Sequence, residues 1–128
     1  MTRTAVSTSD APAALGPYSQ AIVAQGLVFC SGMPGIDPQS GSVPDGIEAQ
    51  TEQALTNLGA VLTAAGSSLS HLVRTTIFYS DVEDFAALNA VYERFMPDPP
   101  PARSAPANVR LPRGLLVSID AIATLEAS

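Results

Sequence analysis

Residues 115–125 read LLVSIDAIATL, an extended segment whose side chains sort onto two faces with a period of two. Val117, Ile119, Ala121, Ala123 and Leu125 point one way. Leu116, Ser118, Asp120, Ile122 and Thr124 point the other. The first set is wholly apolar and suits a face covered by helices. The second is partly apolar, and the chain has no helix left to cover it. An apolar patch left open in this way marks an interface. The expectation is a homo-oligomer packed sheet face to sheet face, with Ser118 and Asp120 at or near the seam.

The rest of the chain supplies the helices and strands of that layer. DGIEAQTEQALTNLGAVLTAAGSS, residues 45–68, opens on Asp45 with Glu48 three residues on, the spacing of a capping box. Leu55, Leu58, Leu62 and Ala65 follow as one apolar stripe, and Gly66 sits where a C′ glycine belongs. DVEDFAALNAVYERFMP, residues 81–97, is capped by Asp81 and stopped by Pro97, with Phe85, Leu88, Tyr92 and Phe95 in the same spacing. QAIVAQ (20–25) and LVFCSG (27–32) flank Gly26 as a hairpin. LVRTTIFYS (72–80) is a strand between the two helices. ARSAPANVRL (102–111) and the opening segment flank PRG (112–114) as a second hairpin, and a short strand is expected near residues 4–7. The order β-β-β-α-β-α-β-β describes an α+β layer of about six strands with two helices on one face.

Composition bounds the function. The 128 residues fit a single domain, 1–128, and folding at this length hides roughly two thirds of the chain's surface. Hydrophobic residues make up 46% and charged residues 14%, too apolar for disorder and too sparsely charged to cover a whole surface, which again favours burial against copies of itself. Net charge is −6, which argues against nucleic acid as a partner. All six basic residues are arginine, so no Schiff-base lysine is present. One cysteine, Cys30, permits no internal disulfide, and with one histidine it makes no zinc site without carboxylates, so no metal is expected. No apolar run reaches the ~20 residues that span a bilayer, and the N-terminus lacks a signal-peptide core. No membrane partner and a cytoplasmic location are the expectations.

Arg103 is the main candidate for chemistry. It lies within the stiff run PDPPPARSAP, residues 97–106, which holds five prolines in ten residues. Proline limits φ and lowers the entropy of the unfolded chain, so a side chain held this way has little freedom to lose on binding. A guanidinium grips a carboxylate through two parallel hydrogen bonds. A structural ion pair with one of the twelve acids is the competing reading, and spacing leaves both open. Asp120 is the only acid in an otherwise apolar strand. Burial would raise its pKa and suit it to proton transfer near neutrality, while pairing with an arginine across the sheet is the equal alternative.

Other positions carry weaker signals. Tyr18, in GPYSQA (16–21), follows a turn, where its ring either covers a ligand or packs. CSGMPGIDPQSG (30–41) sets Ser31 and Gly32 at a strand end with free backbone amides, but lacks the lysine and spacing of a phosphate loop. Cys30 reads as an inert core thiol. Asn89 sits one residue after Leu88 on the polar side of its helix, either reaching a neighbouring subunit or solvated. His71 reads as a surface residue without a catalytic role. Arg110 and Arg113 read as a weak patch for anions or as ordinary solvated charges.

Taken together, GPYSQA, VFCSGMPGIDPQSG, IEAQTEQALTNLGAVLTAAGSSL, VRTTIFYSDVEDFAALNAVY, PPARSA and IDAIA resemble, in that order, the RidA/YjgF family of reactive-intermediate deaminases. The resemblance runs from Gly16 to Ala123. It implies a chorismate-mutase-like α+β fold and a homotrimer whose sheets line a central barrel, with clefts between subunits. It also implies hydrolysis of 2-imino or 2-amino-enoic acids to 2-keto acids and ammonia, without a cofactor. Carried over, Arg103 clamps the carboxylate, and Tyr18, Ser31, Gly32 and Asn89 line the cleft. Asp120 and the backbone carbonyl of Ala105 hold the attacking water. Four positions depart from the family pattern. Asp120 replaces a glutamate, Ala105 stands where cysteine is common, Met33 follows SG where glutamine is usual, and Pro106 points to a strand edge or bulge. Other functions stand beside it: a trimeric small-carboxylate-binding or regulatory protein with little or no turnover, a deaminase specialised to one pathway, and a ribonuclease or translation inhibitor.

Overall fold

The computed structural model describes residues 2–126. Strands β1 (Thr4–Val6), β2 (Ala21–Ala24) and β3 (Leu27–Pro34) precede helix α1 (Ile47–Ala64). Strand β4 (Leu72–Tyr79), helix α2 (Phe85–Phe95), strand β5 (Ala102–Ser104) and strand β6 (Val117–Thr124) complete the α+β layer. The six strands form one sheet in the order β1-β2-β3-β6-β4-β5. Hairpin β2–β3 turns on Gln25 and Gly26, both with positive φ (55° and 75°), the primed two-residue turn that matches strand twist.

β6 occupies the centre of the sheet, antiparallel to β3 on one side and β4 on the other. Its expected two faces are observed. Val117, Ile119, Ala121 and Ala123 are buried, while Ser118, Asp120, Ile122 and Thr124 remain half-exposed. α1 covers the buried face with Leu55, Leu58, Val61 and Leu62, all fully buried. Each such aliphatic side chain contributes about 1.5–3 kcal/mol of transfer free energy. The other face carries Phe29, paired with Ile122 and 42% exposed in the isolated chain. α1 ends as expected. Ser67 N donates to the Leu62 carbonyl and Gly66 N to that of Thr63, the paired bonds of a Schellman motif.

Two expectations fail. Residues 102–111 do not pair with β6. β5 is only three residues long and lies parallel to β4 at the sheet edge. Both flanks of β6 are taken by the eight-residue strands β3 and β4. Beyond β5, Pro106 has no N–H to offer a ladder and Asn108 takes a φ of 61°, so the chain leaves the sheet. PRG forms a 3-10 turn and not a hairpin loop. β5 is the sheet's edge strand, and Pro106 lies two residues beyond it, outside any strand. The capping box is also absent. Gly46, at φ 90° and ψ 163°, stands at the N-cap and makes no side-chain bond, which displaces Asp45 one residue too far out. Asp81 caps the 3-10 turn Val82–Asp84 that leads into α2, accepting a hydrogen bond from Glu83 N at 2.9 Å, while α2 itself starts from Asp84 without a side-chain cap.

Buried amides fasten the loops to this frame. Asn57 Nδ2 donates to the carbonyls of Pro34 and Ile36, both at 2.9 Å, and Gln50 Oε1 accepts from Leu116 N at 2.9 Å. The loop after β3 therefore lies directly on α1. A Cβ at Gly35 would sit 2.5 Å from the Gln50 carbonyl oxygen and 2.8 Å from its Cα. Neither is a mobile side-chain end, so Gly35→Ala should lower the unfolding free energy by about 2 kcal/mol, read as a lower urea midpoint at unchanged slope. An unchanged midpoint would mean that loop and helix separate freely.

Candidate active site

The proline run delivers Arg103 into the middle of β5, in register with Thr75 of β4. Thr75 is fully buried on the helix side of the sheet, and Arg103 shares that side. The guanidinium reaches α2. Its Nη1 donates to Asn89 Oδ1 at 2.6 Å, and its carbon lies 5.0 Å from the Tyr92 ring centre and 5.7 Å from that of Phe85. Among the described residues these are its partners, and no carboxylate is one of them, which removes the ion-pair reading. Arg103 opens on a cleft of about 610 Å³ whose walls include Asn89, Tyr92, Glu93, Met96 and Pro100. Glu93 is exposed at the rim.

Sequence reasoning placed Tyr92 and Phe85 in the apolar stripe alone and missed their contact with Arg103. The signal was present. Phe85, Asn89 and Tyr92 follow at four and three residues, so they share one helix face. Asn89 is half-buried, and its amide oxygen accepts the hydrogen bond from the arginine.

The remaining candidates lie elsewhere. Tyr18 is 50% exposed, and with Gly32 it lines a second, mainly apolar groove of about 330 Å³ that also holds Leu15, Ile36, Leu115 and Ser118. Ser31 Oγ donates to the Ser19 carbonyl at 2.7 Å, tying the Tyr18 loop to β3. Gly32 lies at a break in the β3–β6 register, where a Cβ would meet Ser118 Oγ at 2.6 Å. Asp120 pairs with Thr76, the residue after Thr75. Consecutive strand residues face opposite ways. Asp120 therefore lies on the open face and Arg103 on the helix face of the same sheet. Ala105 follows the last residue of β5, half-buried. A single chain thus keeps these residues apart: Arg103 with Asn89 at the sheet-edge cleft, Tyr18 with Gly32 in the second groove, and Asp120 on the open face.

Cys30 is buried, and its thiol is pushed up to about 12, first by burial and then by the charge on Asp120. At neutral pH it is a protonated thiol without nucleophilic character. His71 is half-buried, not simply a surface residue. Its Nδ1 lies 2.8 Å from Ser68 Oγ and 3.2 Å from Ser70 Oγ. Arg110 and Arg113 line a separate hollow beside the 3-10 turn. Among the described residues no cluster of three His, Cys, Asp or Glu side chains is arranged to hold a metal ion, and no helix is long and apolar enough to cross a membrane.

A small α+β chain with an aromatic-backed arginine at a sheet-edge cleft is the class that fold and geometry define. The sequence matches the family described as endoribonuclease L-PSP over residues 8–125, and the chain belongs to that family. It is 49% identical over 121 residues to the chloroplastic Reactive Intermediate Deaminase A of Arabidopsis thaliana, covering 94% of this chain and 65% of that protein. It is 44% identical over 124 residues to the 2-iminobutanoate/2-iminopropanoate deaminase of Capra hircus, covering 96% and 90%. The structure of E. coli TdcF with bound serine superposes with a TM-score of 0.90 at 35% identity, covering 96% of this chain and 99% of that one.

Proposed function

We propose that the protein hydrolyses 2-imino and 2-amino-enoic acids to 2-keto acids and ammonia, without a cofactor, as a homotrimer with a cleft between subunits. The observation that carries this reading is the Arg103 guanidinium, braced by Asn89, Tyr92 and Phe85 and free of any carboxylate among the described residues. The deaminase relatives and the serine-bound neighbour support a small amino-acid-like ligand. Arg103 grips its carboxylate, and a shielded pair of this kind contributes roughly 1.5–3 kcal/mol.

The separation of these groups within one chain supports assembly. A neighbouring copy has to bring its own groove of Tyr18 and Gly32, with Ser31 behind the Tyr18 loop, and its open face with Asp120, against the Arg103 edge. There the Asp120 carboxylate and the Ala105 carbonyl hold a water. Asp120 takes a proton as the water oxygen bonds to C2, and the C=N electron pair moves to nitrogen. Asp120 returns that proton to the nitrogen, the adduct's hydroxyl proton follows it there, the C–N bond breaks to release ammonia, and the oxygen's electron pair forms the carbonyl. Asp120 is one methylene shorter than glutamate, a difference of about 1 to 1.5 Å, and misplacement on that scale can cost ~100-fold in rate. Turnover slower than that of glutamate-bearing relatives is part of the proposal.

RNA cleavage fits the chain poorly. A net charge of −6 with no lysine opposes a polyanion. A cytoplasmic location belongs to the same proposal, although the Arabidopsis relative carries the word chloroplastic. The test is ammonia release from 2-aminoacrylate generated in place by a dehydratase, with the assembly mass measured by light scattering. Faster release by a three-chain species is expected. No acceleration overturns the activity, and a monomer overturns the shared cleft.

A further inference from the structure

We propose that Tyr92, held by Thr75, is a positioning residue that sets the plane of the Arg103 guanidinium and so tunes the cleft's grip on a carboxylate. The inference rests on the carboxylate-clamp reading of Arg103. Four contacts close a loop around that side chain. Arg103 is in register with Thr75 across β5 and β4. The Thr75 hydroxyl lies 2.6 Å from the Tyr92 hydroxyl. The Tyr92 ring returns to the guanidinium at 5.0 Å, and Asn89, one helical turn earlier, takes Nη1 at 2.6 Å. Phe85 adds a second ring at 5.7 Å, itself tilted at 34° against Tyr79 with centroids 6.2 Å apart.

The chemistry of each part has a distinct effect. A ring face attracts a guanidinium and limits its tilt. The Asn89 oxygen uses Nη1, which leaves Nε and Nη2 for two parallel bonds to a carboxylate. Thr75 is fully buried and Tyr92 is 5% exposed. A valine would fill the Thr75 site without a hydroxyl that needs a partner. The hydroxyl's consequence is to pin the phenol end, so the ring cannot slide along the guanidinium. Burial foremost raises the Tyr92 pKa, against the lowering effects of the Thr75 bond and the Arg103 charge. The phenol therefore stays neutral at physiological pH. It acts through its ring face and does not become an anion that would compete with the substrate.

The test is calorimetric titration of the full chain with pyruvate, a non-reacting 2-keto acid, together with kcat and KM for imine turnover. Tyr92→Leu should weaken pyruvate binding about tenfold, the loss expected of a shielded cation–ring contact. Tyr92→Phe and Thr75→Val keep the shapes, and each breaks the hydroxyl–hydroxyl bond by removing one of its two partners. Each should raise KM about threefold with kcat within twofold of the parent, a split that general loss of stability does not produce. Should Tyr92→Leu fail to fold, these two variants decide alone. Parent-like pyruvate affinity in Tyr92→Leu, or a fall in kcat at unchanged KM in both shape-preserving variants, overturns the inference. Arg103→Ala in the same titration separates the two readings. Unaltered binding there refutes the clamp itself, while lost binding there with unaltered binding in the Tyr92 variants refutes only the positioning role.

Discussion

Arg103→Ala should lower kcat/KM for a 2-imino acid by roughly 100-fold and abolish measurable pyruvate binding, the loss expected when a shielded charge-assisted pair is removed. The fold should survive. Arg103 lies on a three-residue edge strand at the sheet's limit, outside the buried cluster formed by α1 and β6. Arg103→Lys is the informative companion. It keeps the charge but loses the planar fork, so its affinity should fall between parent and alanine. A lysine variant with full affinity would mean that charge alone is read. An alanine variant with full activity would remove the foundation of the proposed chemistry.

Asp120→Asn should lower kcat by roughly 100-fold with little change in KM, the contribution typical of a positioned general base. The substitution preserves shape on a half-exposed strand position opposite Thr76, so stability should hold. Asp120→Glu moves the carboxylate outward by one methylene and should raise kcat, by about tenfold if reach limits the parent. An asparagine variant with parental kcat would exclude Asp120 from proton transfer. A glutamate variant active where the parent is inert would favour the carboxylate-binding alternative for the natural protein.

Much of this architecture was legible because it is periodic. The two faces of β6, the Leu55–Leu58–Leu62 stripe, the Gly66 terminus and the Gly26 turn each follow from local spacing. β5 was not legible. A three-residue strand has no useful alternation, and its parallel partner β4 lies across the intervening α2. Proximity in sequence to β6 suggested a hairpin, although both neighbours of β6 were to be claimed by longer strands. The capping box failed for a similar reason, since Gly46 displaces Asp45 by a single residue.

The site was legible in its residue types and not in its assembly. The proline run singled out Arg103, and Asp120 stood out as an acid among apolar neighbours. Their placement on opposite faces depends on register with Thr75 and Thr76, and no sequence spacing reveals which strand residues pair. Aromatic residues at helical spacing read as core. Tyr92 is core by burial and still touches the guanidinium, so the two roles could not be told apart from the pattern.

The burial of Cys30 has a consequence for survival among electrophiles. Thiolates and free amines are the side chains that unstable imines and their carbonyl products would modify most readily. This chain's one sulfhydryl is locked away as the acid form, and its sequence has no lysine at all. Under the proposed activity, the protein offers its own reagents neither an exposed thiol nor a lysine amine to modify.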